Sequence, residues 1–263
     1  EKLFNYFLSR VWKDNNYGKT ILGTEKDIQS LEISDLKNFH RRFYDTKNLC
    51  IAIAGNLSQR VFREYYENSF SFQEIKDNTN LNINNKLDMV SRTGREEIDF
   101  YGIEFSRILI GWKIPNIKNQ RLNIGFEILA SILASGRNSR FVKVLKEDKN
   151  LVQSIYVDVN GGELGSLLII EACCDNKNLK KVEEEIDEII KELVSYGNLS
   201  LNELIKATNI VKSNYFFNLE TCSQISSFLG NNFLWGRKNS IYELESHIKY
   251  WNNLDNFNEI LSY

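Results

Sequence analysis

The sequence predicts an α+β fold, and three stretches carry that prediction. Residues 17–70 run helix, turn, apolar strand, cap and helix. Residues 152–173 hold two strands around a glycine-rich loop. From Leu179 onward the pattern turns helical and stays helical. Periods near two and near 3.6 therefore alternate along one chain of 263 residues, long enough for one large domain or two smaller ones.

Glu1 to Trp12 reads as a helix with Leu3, Phe4, Phe7, Leu8 and Val11 on one face. A sequence that opens inside an amphipathic helix is expected to be a piece of a longer protein. Tyr17-Gly18 forms a turn, Thr24 starts a helical piece, and Ser34 caps a helix carrying Leu36, Phe39 and Phe43. Leu49 to Ala54 reads as a strand buried on both faces, stopped by Gly55-Asn56. Ser58 caps the next helix, Gln59 to Phe70. Residues 76–95, rich in Asn, Asp and Lys, read as a surface connector.

Beyond the connector, residues 96–103 alternate as a strand, and 106–114 form a stronger one ended by Pro115-Asn116. Gln120 to Ala134 is a mostly buried helix. Ser135 to Asn138 break the pattern, and Arg140 to about Asp148 resume it. Strands 152–159 and 166–173 flank Asn160 to Gly165, a loop that joins two strands, opens no helix and so is no phosphate cradle. Helices follow at 179–196, 200–219, 223–235, 241–251 and 254–263. Ser200 and Glu203 form a capping-box pattern.

Two stretches resemble a known family. The first is Tyr17-Gly18, Ile21-Leu22-Gly23-Thr24, a helix ending in Phe43-Tyr44, then Asn48 to Asn56. The second is Gly136, Ser139, Arg140, Phe141, Leu145, Glu147, Leu151 and Ser154, in register with a repeated-domain motif. Together the chain resembles the pitrilysin/insulinase-type zinc metallopeptidases, which include mitochondrial processing peptidase and non-catalytic core proteins of the cytochrome bc complex. The resemblance implies sandwich-like domains, each a mainly antiparallel sheet with helices packed on it. It implies a partial first domain at 1–75, a linker at 76–95, and a near-complete second domain at 96–263. The end, Trp251 to Tyr263, echoes the helix Leu31 to Tyr44, so the second domain is expected to lack its closing strand.

In catalytic members of the family an arginine and a tyrosine of the later half hold the substrate backbone. The matching positions here are Lys146 and Gln153. Lysine keeps the charge but not the planar fork of arginine. The two residues are candidate substrate-binding groups, or plain surface residues of a half that never carried the clamp. The family's zinc motif, H-x-x-E-H, does not occur, and the histidines, His40 and His247, have no partner at helical spacing. No metal ligand and no catalytic residue is therefore expected in this stretch, while zinc is expected in the parent protein.

Net charge is −2 with both signs interspersed, which gives no footprint for nucleic acid. No apolar run approaches the ~20 residues of a membrane helix. Cys50, Cys173, Cys174 and Cys222 read as buried free thiols of a reducing, cytoplasmic setting. The expected role is a scaffold and substrate-chamber fragment of a zinc-dependent metalloendopeptidase, inactive alone. Its expected partners are a peptide or protein substrate and a second metallopeptidase-like half, from the same chain, a homodimer or a heterodimer. The alternative is a non-catalytic partner subunit of a two-chain processing-peptidase-like complex. A third reading, an unrelated α/β binding domain, requires both resemblances to be accidental.

Overall fold

The computed structural model describes residues 1–12, 15–44, 49–69, 93–195, 197–237 and 240–263. Most of the expected 76–95 connector lies outside the described residues. The sheet has three strands: β1 (Ser106–Ile114), β2 (Ser154–Asn160) and β3 (Ser166–Cys174). Their order is β1-β3-β2 and both pairings are antiparallel. In the centre, Ile110 and Val157 both pair with Ile170. Alternation then sends Leu168, Ile170, Ala172 and Cys174 to one face of β3 and Leu167 and Ile169 to the other.

Helices cover the first face. α5 (Gln120–Ala134) is apolar nearly all round, as a helix wedged between a sheet and other helices must be. It lies on β2 and against α7 (Leu201–Phe217) and α9 (Ser240–Tyr250). α6 (Leu179–Ser195) turns Val182, Ile186, Ile189 and Leu193 inward and leaves its acidic face in water. α10 (Leu254–Leu261) closes this layer, with Phe257 and Ile260 beside Trp251 in one continuous core.

The opposite face is covered by α1 (Lys2–Val11). Phe7 lies directly over Gly111, where a side chain would collide with the ring at 2.5 Å. Trp12, 3 % exposed, packs with Leu167 and Ile169. The turn after α1 sets Tyr17 against the β2–β3 loop, with its hydroxyl accepting from the Leu164 N–H at 3.3 Å. α2 (Glu25–Gln29) starts at Thr24, which exchanges hydrogen bonds with Asp27 in a capping box. α3 (Ile33–Phe43) starts two residues earlier than expected. Its N-cap is Glu32, whose N–H donates to Asp35 Oδ2 at 3.0 Å, so Ser34 lies inside the helix. α4 (Gln59–Ser69) begins as expected, with Ser58 Oγ accepting from the Val61 N–H.

Two expected strands are not strands. Residues 49–54 take no regular structure, no described strand pairs with them, and Leu49 and Ile53 are exposed. An apolar run becomes a buried strand only where a ladder partner exists. Ala52 instead rests on Gly230 of α8 (Cys222–Leu234). Residues 96–103 break at Gly102, with φ of +83°, and Tyr101 is fully exposed. The charges that gave this stretch its alternation are used as ties. Glu96 accepts from Tyr6 and Arg10 of α1, and Arg95 makes a forked pair with Glu183 of α6. The four thiols are free, but Cys50 is half-buried and Cys222 exposed, so burial holds for Cys173 and Cys174 alone.

Candidate cleft between the π-turn and strand β2

The chain between α5 and β2 does not form the ordinary helix expected at 140–148. Val142–Asp148 is a π-helix, and the bond that marks its wide turn runs from the Lys149 N–H to the Val144 carbonyl at 3.0 Å. The Leu145 carbonyl then accepts from Leu151 at 2.7 Å and from Val152 at 3.4 Å. Asn150 between them takes the left-handed conformation, φ +48°, where asparagine is better tolerated than most residues. Phe141 and Leu145 are fully buried and anchor the wide turn from inside.

This reversal places the two sequence-derived candidates together. Lys146 on the π-turn and Gln153 just before β2 both line one open cleft of about 490 Å³. The Gln153 N–H donates to the Cys173 carbonyl at 2.8 Å, continuing the β2–β3 ladder to the cleft edge. Asn178, Asp175 and Glu147 complete the polar rim. The Asn178 amide donates to the Leu151 carbonyl. Glu147 is paired with Arg137 at 2.6 Å, which holds its carboxyl below the usual carboxylate range. The cleft thus presents one ammonium group, three primary amides (Asn150, Gln153 and Asn178) and two carboxylates, Glu147 paired with Arg137 and Asp175 lying 3.8 Å from Lys177. Such a set can hold carbonyl oxygens of an extended peptide. It contains no nucleophile–base pair.

The histidines lie elsewhere. His40 stacks on Tyr44 at the end of α3, and His247 lies 3.7 Å from Glu243 on α9. Among the described residues no group of three His, Cys, Asp or Glu side chains converges in a way that could hold a metal ion. These residues do not fit the family's zinc. Sequence reasoning missed Asn150, Asp175 and Asn178. They follow buried segments in ordinary turn positions, and only the fold brings them to Lys146.

The antiparallel sheet and its helical layer define an α+β domain with a polar cleft at one end of the sheet. Residues 30–211 match the family model described as the peptidase M16 inactive domain, and the chain belongs to that family. The zinc protease PqqE of Helicobacter pylori is 24 % identical over 234 residues, covering 87 % of this chain and 52 % of that protein. The chain spans about half the length of the curated relatives it matches. A protease structure from Helicobacter pylori superposes with a TM-score of 0.79 at 18 % identity, covering 100 % of this chain and 64 % of the other. The M16 inactive domain of Pseudomonas fluorescens gives 0.75 at 14 % identity, with 98 % and 60 % covered. No helix among the described residues is long and apolar enough to cross a membrane.

Proposed function

We propose that this chain is the scaffold and substrate-chamber part of a zinc-dependent metalloendopeptidase whose metal site lies in the preceding part of the same protein. Lys146 and Gln153 hold the backbone of an extended peptide substrate at the cleft. The observation that carries the reading is the convergence of these two side chains on one polar cleft that lacks a nucleophile. Residues 1–75 are then part of a first domain, 76–95 the linker, and 96–263 a second domain. The apolar side chains left open on α2 and α3 support a second metallopeptidase-like half as the neighbour.

The test uses a fluorescein-labelled decapeptide of mixed sequence with blocked ends. The chain by itself is expected to bind the peptide weakly and to hydrolyse none of it. Lys146→Ala and Gln153→Ala are each expected to weaken binding about tenfold, the value of one charge-assisted or strong hydrogen bond. Stoichiometric zinc or peptide hydrolysis in the purified chain would overturn the scaffold role. Unchanged affinity in both variants would remove the cleft from it.

A further inference from the structure

The cleft beside the π-turn has a charge balance that holding a neutral peptide backbone does not use. Three carboxylates stand in it or next to it, and each already has a cation of its own. Glu147 pairs with Arg137 at 2.6 Å, Asp175 lies 3.8 Å from Lys177, and Glu185 of α6 accepts from Lys149. Lys146 is the cation left over. Among the described residues its ammonium group meets no carboxylate within ion-pair distance.

The backbone around it is already in use. The Leu145 carbonyl accepts from Leu151 and Val152, the Leu151 carbonyl from the Asn178 amide, and the Cys173 carbonyl from the Gln153 N–H. What stays open is a set of side-chain donors. It comprises the Lys146 ammonium group, the amides of Asn150 and Gln153, which have no hydrogen-bond partner among the described residues, and the second amide N–H of Asn178. Several donors with one uncompensated positive charge match an acceptor that is anionic and carries two oxygens. A carboxylate is both, and it accepts from ammonium and amide groups at once. A neutral backbone carbonyl leaves the Lys146 charge unmatched, and a cationic side chain is repelled by it.

We propose that the cleft selects peptides that bring a carboxylate to Lys146, with the amides of Asn150 and Gln153 orienting its two oxygens. This rests on the reading of the cleft as a peptide site and adds the class of peptide it prefers. The carboxylate comes from the peptide's C-terminus or from an aspartate or glutamate side chain, which present the same pair of oxygens. Lys146 is exposed, so solvent and salt screen the pairing and the preference is modest.

The experiment is fluorescence anisotropy of the purified chain with two pairs of labelled decapeptides at low salt. One pair differs only in a free or an amidated C-terminus. The other is amidated in both members and differs only in glutamate or glutamine at one central position. The carboxylate-bearing member of at least one pair is expected to bind about fivefold tighter, the upper range for an exposed ion pair, and added salt is expected to shrink the difference. A response confined to the first pair assigns the C-terminus as the source, and one confined to the second assigns the acidic side chain. Lys146→Ala is expected to erase the preference and Lys146→Arg to keep it. Arg137→Ala is expected to weaken it, because Glu147 then turns to Lys146. Equal affinities within both pairs, or a preference that survives Lys146→Ala, overturn the proposal. If the blocked neutral peptide still loses affinity in Lys146→Ala, the cleft remains a peptide site and only the carboxylate preference falls. Absence of binding by every peptide removes both readings.

Discussion

Gly162 has no room for a side chain. A Cβ there would lie 2.5 Å from the Gly165 carbonyl oxygen and 2.7 Å from the Tyr17 ring. The backbone oxygen cannot move without opening the hairpin, so Gly162→Ala is expected to cost about 1–3 kcal/mol. Urea denaturation checks this through the transition midpoint, and an unchanged midpoint would show that the loop yields freely. The glycine-rich loop is legible in the sequence as a hairpin, but its use as a socket for Tyr17 is not, because the two are far apart in the chain. Lys146 and Gln153 entered as candidates through the resemblance, aligned on Leu145 and Leu151, and both of those leucines are buried.

Elements were legible where local pattern and tertiary packing agree. α5, α6, α7 and the three strands appear within a few residues of their expected bounds, since each carries its own period and its own stop signal. The stretches 49–54 and 96–103 show what pattern alone cannot supply, a partner for the ladder. The π-turn was missed for a related reason: its sequence has ordinary helical spacing, and the wide register comes from Leu145 accepting two N–H groups beyond the helix end. At this scale α1 makes a separable prediction. It packs through a small cluster of its own, Trp12 with Leu167 and Ile169, apart from the main core. Trp12→Ala is expected to cost about 3–5 kcal/mol. Amide exchange is expected to rise in α1 and around Tyr17 while α5 and α7 stay protected to the global limit. Equal loss of protection in both places would mean that α1 and the helical layer unfold as one unit.

Across the whole molecule the apolar surface is unevenly distributed. The main core covers one face of the sheet fully, yet Ile28, Leu31, Ile33, Leu36 and Phe39 stand more than half exposed along α2 and α3, beside Ile21 and Leu22. Phe39 and Phe43 pack on each other, with ring centroids 4.6 Å apart. Isolated apolar side chains on a surface are ordinary, but a contiguous set on consecutive elements marks a face that meets another surface. The capping boxes at both helix starts keep α2 and α3 formed without that neighbour, so the face is preformed. Two consequences separate cleanly. The isolated chain is expected to self-associate with rising concentration in sedimentation velocity. Leu36→Glu together with Phe39→Glu is expected to abolish the association while shifting stability by no more than about 0.5 kcal/mol, because neither side chain belongs to a core. A chain that stays monomeric at high concentration, or a double variant that loses its cooperative unfolding transition, would show that these side chains are held within the molecule and that α2 and α3 offer no docking face.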